Sequence, residues 1–294
     1  MEKLAVIFVM AHAIGLSGVA FASSDYHGTV GVEYSDYRTD QLTRRQTSLG
    51  TNVYLVPVQR KLHPWNEAGF LEHASSLSAD FSHFDDSTTF SYDQGGHQYS
   101  LGGLFASKSF PLTGDVTYHR FRLKNDSITI NHYGVDGRLG AYVIKPLRIM
   151  AHYYKVNYTY DPSENLIYFT NTTSYGLQVK YVLEFRNQAV SIEDKMDWFK
   201  RGSSNTNLLE EYSWSQRDLT VKYFPTRKFA LVAEGVAIAY DHDYGSATSF
   251  VAGVEGLLFN RLSISLKYES HTTEKTVFID SDHTQWVGAV QFWF

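Results

Sequence analysis

Apolar and polar residues alternate with a period of two along most of the chain. In residues 25–37, Tyr26, Gly28, Val30, Val32 and Tyr34 share one side, and His27, Thr29, Gly31, Glu33 and Ser35 the other. Leu49, Val53 and Leu55 oppose Ser48, Gly50, Asn52 and Tyr54, and Leu262, Ile264, Leu266 and Tyr268 oppose Ser263, Ser265, Lys267 and Glu269. The chain ends "HTQWVGAVQFWF", with Trp286, Gly288, Val290, Phe292 and Phe294 on one side. A β-strand sends successive side chains to opposite faces, so each stretch reads as a strand with one apolar wall and one polar wall. The segments near 147–160 and 187–200 alternate poorly, and their faces stay unassigned.

The pattern predicts about fourteen strands, with 12–16 compatible, each roughly 10–15 residues long. Soluble strands usually run about 5–6 residues, whereas tilted membrane-crossing strands need about 9–11. The connections fall into two alternating classes. "SFPLTG", "KPLR", "FRNQ", "FPTRK" and "FNR" are tight, and "PVQRKLHPWNEAG" is the long member of that class. "RTDQLTRR", "DDSTTFSYDQGG", "RGSSNTNLLEE" and "TTEKTVFIDSD" are longer and polar, with the short Lys124–Ser127 link as their exception. A soluble sandwich has no reason to sort its loops by parity. An up-and-down transmembrane barrel has short turns at one end, long loops at the other and an even strand number. The predicted fold is therefore all-β: a transmembrane antiparallel up-and-down β-barrel.

Composition agrees. The 294 residues include 21 Tyr and 19 Phe but 6 Pro and no Cys, and the net charge is −5. That mild charge carries no nucleic-acid signature. Past the first residues no stretch is long and apolar enough for a membrane helix. In lipid every backbone N–H and C=O must find a partner, which leaves a closed barrel as the spanning solution. The opening "MEKLAVIFVMAHAIGLSGVAFA" is laid out as a secretory signal peptide ending at Ala22. The expected division is a signal at 1–22 and a barrel at 23–294, exported through the periplasm to the cell outer membrane.

These features resemble the general porins of Gram-negative bacteria. The resemblance rests on the exported start, "YLVPV" at 54–58, "EAGFLEHASSLSADFSH" at 67–83 and the Phe end. It implies a porin for passive diffusion of small hydrophilic solutes and ions, with no catalytic residue and no cofactor. The end of the chain, with Phe292 and Phe294, resembles the signal by which such barrels are recognised for insertion. Expected partners are outer-membrane lipid and lipopolysaccharide, the barrel-assembly machinery, small solutes and a second copy of the chain, but not nucleic acid.

A barrel of about fourteen strands is roughly 28 Å across at the backbone and should leave an aqueous passage unless plugged. No connection looks long enough for a plug domain, though 85–96 could fold inward as a constriction. Candidate pore-lining charges are Glu33, Asp80, Lys108, Arg120, Arg122, Asp136, Arg138, Lys180, Lys222, Glu234, Glu255, Lys267 and Glu269. Together with Glu193, Asp218 and Lys195 they balance, which implies weak ion selectivity. Arg120 and Arg122, two apart, are the first candidates for a constriction. Tyr54, Tyr142 and Trp293 could instead form a sugar-stacking slide in a substrate-specific channel.

Other classes leave their own traces. An omptin-like protease would use a rim acid pair such as Asp85/Asp86 with Asp241, His242 and Asp243, where a water is activated. A barrel phospholipase needs Ser beside His at the outer wall, where His119 is the candidate. Asp241, Asp243, Asp280, Asp282, His242 and His283 could hold a divalent ion, but the fixed ligand spacing is missing and no metal is expected. A non-conducting adhesin barrel should show longer, more apolar or repetitive loops.

Overall fold

The computed structural model describes residues 25–38, 42–59, 63–88, 94–107, 109–124, 128–162, 168–203, 212–241, 245–258, 261–274 and 283–294. The signal reading at 1–22, Lys108, His242, Asp243, Asp280 and Asp282 lie outside them. The described residues form fourteen strands in one closed antiparallel barrel. In chain order these are β1 (Asp25–Arg38), β2 (Leu42–Gln59), β3 (Ser76–Thr88), β4 (Gln94–Ala106), β5 (Leu112–Lys124), β6 (Ile128–Ile144) and β7 (Leu147–Pro162). The second half holds β8 (Tyr168–Phe185), β9 (Gln188–Ser203), β10 (Tyr212–Thr226), β11 (Phe229–Tyr240), β12 (Ser246–Leu258), β13 (Leu262–Glu274) and β14 (His283–Trp293). Strand lengths run from 11 residues in β14 to 18 in β2 and β8.

Each strand pairs with its sequence neighbour, and β1 closes on β14 from Thr29↔Trp293 to Arg38↔Thr284. Among the described residues closure leaves no free sheet edge, as a lipid-facing sheet requires. The last residue completes the seam. The Phe294 carbonyl accepts hydrogen bonds from the N–H groups of His27 (2.5 Å) and Gly28 (3.1 Å), and its own N–H donates to the Gly28 carbonyl at 3.1 Å. Gly28 is what lets the ring of Phe294 lie there. A Cβ at that position would sit 2.5 Å from the Asn52 carbonyl oxygen and 2.8 Å from the Phe294 ring.

The outer wall is apolar around the girth. Val32, Leu77, Leu101, Val116, Val135, Leu139, Leu177, Leu231, Phe250, Leu266 and Val290 point outward, most of them well exposed. The inner wall is polar and ion-paired. Two strands explain where the alternation is unreadable. In β7 the inward positions include buried Met150 and Val156, while Lys155 faces out. In β9 the outward row Ile192, Asp194, Met196 and Trp198 contains a carboxylate, held by outward-facing Arg217 of β10 at 2.7 Å. Tyr26 departs from its expected face. The register shifts between Tyr26 and Gly28, and this bulge turns Tyr26 inward, where it is 1% exposed.

Candidate functional site: a plugged polar lumen

The long member of the short-turn class does not stay outside. After β2, residues 63–75 enter the barrel mouth and cross it, carrying one short helix, α1 (Ala68–Leu71). This corrects the expectation that no connection serves as a plug. The segment is anchored on opposite walls. Trp65 packs edge-on against Trp293 (5.2 Å), which packs on Tyr26 (4.8 Å), and Val58, Ala68, Ala74 and Leu257 complete the buried cluster. The Trp65 backbone N–H donates to the Arg227 carbonyl in the β10–β11 turn at 3.3 Å. The Asn66 side-chain amide donates to Glu255 of β12 at 2.6 Å.

On the other wall Glu67, 2% exposed, meets the Lys180 ammonium at 2.9 Å, and Lys180 also reaches Glu193 at 3.2 Å. The Phe70 ring lies under two cations, with Arg148 at 5.3 Å and Lys180 at 5.2 Å from its centroid. His63 is set between Glu72 (3.1 Å) and Glu184 (3.0 Å). At the end of α1, His73 adopts φ 50, the left-handed conformation that ends helices, and its ring stacks on Tyr142 at 3.7 Å. The Ser75 hydroxyl donates to the Ala106 carbonyl at 2.8 Å, fixing the exit into β3.

Burial of an ionic pair is costly unless both charges stay satisfied, and removing one partner leaves the other uncompensated. Lys180→Met is therefore expected to weaken seating of the segment by about 3–5 kcal/mol. Limited trypsin digestion checks this: cleavage after Arg60 and Lys61 should accelerate relative to the native chain, with the strands intact.

Above the plug the lumen divides. One side is filled by linked ion pairs: Arg138 with Asp115 (2.8 Å), and His152 with both Asp136 (2.8 Å) and Asp197 (2.5 Å), the latter shared with Lys195 (2.7 Å). The other side is open. A cavity of about 540 Å³ rises from Tyr54, Trp65, Asn66 and Trp293 past Lys222, Glu234, Glu255, Lys267 and Glu269. It shares the lining residues Thr29, Glu33, Asn52 and Gln291 with a neighbouring cavity of about 520 Å³ lined by Gln46, Ser48, Asp80, Ser82, Gln98 and Ser100. Lys267 pairs with Glu234 (2.7 Å) and Lys222 with Glu255 (3.2 Å). Glu269 accepts hydrogen bonds from Ser249 (2.7 Å) and Gln285. The lining thus carries five carboxylates and two lysines.

Of the other sequence candidates, Asp136, Arg138 and Lys180 face inward but within the filled side or under the plug. Arg120 and Arg122 are a correction. They share the outward, exposed row of β5 with Val116, Tyr118 and Lys124, while Thr113, Asp115, Thr117 and His119 face in. His119 is a second correction: its ring is inside, 3.0 Å from the Ser100 hydroxyl, so the pair is not at the outer wall. Residues 85–88 and 94–96 continue β3 and β4, while 89–93, the rest of the expected constriction, lie outside the described residues. Asp85 faces out beside His83 (3.3 Å) and Asp86 faces in on Arg44 (2.7 Å), so they form no common acid pair. Tyr54, Tyr142 and Trp293 face inward and each meets the plug, Tyr54 at Gly69, Tyr142 at His73 and Trp293 at Trp65, with Tyr54 and Trp293 also bordering the open cavity.

The comparisons with known proteins bear on the fold. No family model matches the chain, and no curated protein matches it. Among solved structures it is similar to the outer membrane protein Omp33 of Acinetobacter baumannii, with TM-score 0.55 and 14% identity over 92% of this chain and 99% of that one. The chain folds as an outer-membrane-type β-barrel. The CymD monoaromatic hydrocarbon channel is also similar (TM-score 0.54, 10% identity, 92% of this chain and 89% of that one). So is CdiB from Acinetobacter baumannii (TM-score 0.50, 7% identity, 91% of this chain and 60% of that one). The resemblance to the general porins rests on the quoted residues alone.

Proposed function

We propose that the protein is an outer-membrane channel for small hydrophilic solutes and ions, closed at its periplasmic end by residues 63–75 and opened when that segment leaves the mouth. The observation that carries this reading is a pair of adjoining cavities with charged and polar lining, one of them ending on a plug whose seat is made of ion pairs and rings, not of backbone ladder. The start of β1 and the end of β14 lie with the short turns, the periplasmic side in barrels of this type. The polar lining favours hydrophilic solutes over the aromatic hydrocarbons for which CymD is named.

Charge along the open path deepens the reading. Lys267 and Lys222 are each matched by a glutamate, leaving Glu33, Asp80 and Glu269 as surplus negative groups. A net acidic passage favours cations. In a planar bilayer under a salt gradient, the reversal potential should carry the sign of cation preference, and E33Q/E269Q should move it toward zero. A silent bilayer even after the plug is cut out would refute the channel reading, and an anion-selective current would refute the charge assignment.

A further inference from the structure

The outer wall of β4, β5 and β6 carries a group of cations that the lumen account leaves unused. Arg120, Arg122 and Lys124 follow one another on the outward row of β5, all exposed. The register sets each between side chains of the flanking strands. Arg120 lies between Tyr99 and Tyr133, Arg122 between His97 and Asn131, and Lys124 between Gly95 and Thr129. Tyr118, one position lower on the row, is also exposed. The flanking Tyr, His, Asn and Thr side chains can all donate hydrogen bonds. Among the described residues, no carboxylate faces outward on β4, β5 or β6; Asp115 and Asp136 point inward to Arg138 and His152.

Two outward arginines elsewhere on the wall carry their own counter-charge, whereas outward Lys155 of β7, opposite Val135, is a further cation beside this group. Arg38 is neutralised by Asp36 at 2.8 Å, and Arg217 by Asp194 at 2.7 Å. A cation facing the membrane is costly unless paired, and these two have their partners on the protein. Among the described residues Arg120 and Arg122 have no ion-pair partner, and outward Asp85 of β3 approaches only the Lys124 end of the row, across Gly95, so the two arginines are left to offer their charge to a ligand. Position says which. Below Arg120 the outward wall is apolar through Leu101, Val116, Val135 and Leu139, and Tyr99, Tyr118 and Tyr133 ring it at the level of an aromatic girdle. The cations therefore sit where an apolar wall gives way toward the long-loop end, at headgroup depth of the outer leaflet.

We propose that Arg120, Arg122 and Lys124, with Tyr99 and Tyr133 flanking them, bind the phosphate groups of an outer-leaflet glycolipid, lipopolysaccharide. Arginine matches phosphate in a bidentate fork, and the tyrosine hydroxyls complete the oxygen shell. The acyl chains lie along the apolar wall beneath.

The test is native mass spectrometry of the full barrel, refolded in zwitterionic detergent and titrated with bisphosphorylated lipid A. The native chain should retain bound glycolipid, and R120Q/R122Q should weaken binding at least tenfold. R120K/R122K, which keeps the charge but not the fork, should lose only a few-fold. R38Q on β1 should bind as the native chain does. Heat-modifiable mobility confirms that each variant is a closed barrel. Enzymatically dephosphorylated lipid A should bind as weakly as the double variant. Equal binding of the dephosphorylated glycolipid, undiminished binding by R120Q/R122Q, or competition by millimolar inorganic phosphate alone would overturn the proposal.

Discussion

Trp65→Ala combined with Glu67→Gln is expected to raise solute flux through the barrel at least tenfold. Trp65 is 5% exposed and Glu67 2%, and they anchor the plug to opposite walls, on Trp293 and on Lys180. Truncating a buried tryptophan costs about 3–5 kcal/mol, and unpairing a buried charge costs about the same. The two sites touch different partners on opposite walls, so each removes its own anchor of the segment. Turning a segment seated 99:1 into one seated 1:99 takes about 5.5 kcal/mol, which the two losses together reach. The strands do not depend on this seat, because their ladders run around the whole barrel. Liposome swelling in a small neutral sugar reads the flux, and unchanged electrophoretic heat-modifiability shows that the barrel survives. A variant that swells liposomes no faster than the native chain would mean that residues 63–75 do not limit passage.

The second large effect falls on the seam. Gly28→Val is expected to abolish the closed barrel rather than soften it. Its Cβ would lie 2.5 Å from the Asn52 carbonyl oxygen on one side and 2.8 Å from the Phe294 ring on the other. Neither side can yield cheaply: one is ladder backbone, and the other is the residue whose carbonyl holds His27 and Gly28. An unclosed β1–β14 pair exposes two strand edges to lipid, where unpaired backbone groups cost several kcal/mol each. Phe294→Ala should restore some room, so G28V/F294A should recover part of the heat-modifiable form. Normal folding yield of Gly28→Val alone would contradict the closure described here.

The barrel was legible because its two walls face different media. Where inward residues are polar and outward ones apolar, as in β13, period two assigns both faces. The signal weakened where the chain breaks that rule for a local reason. Outward Asp194 is tolerated because Arg217 pairs with it, and inward Met150 and Val156 pack without polar partners. Arg120 and Arg122 read as lumen charges when charged residues are assigned to the polar wall, an assignment that holds only at apolar depth. Their own parity with Val116 and Tyr118 already pointed outward.

The plug was not legible from local pattern. His63 finds Glu184 at 121 residues' separation, and Asn66 finds Glu255 at 189. Spacing within "RKLHPWNEAGFLEH" shows none of that. A signal did exist: this connection alone in the short-turn class is long, and it carries Trp65, Phe70 and Leu71 beside Glu67 and Glu72. Apolar and acidic residues have no use in an exposed turn but suit a segment seated on a charged, aromatic-lined mouth.

The most direct measurement is single-channel current through the native chain in a planar bilayer, set beside a chain in which residues 63–74 are replaced by a Gly/Ser linker. The structure leads us to expect rare, brief openings from the native chain and a steady, larger conductance from the replaced one. Steady full conductance from the native chain, indistinguishable from that of the replaced one, would contradict the plug as the gate.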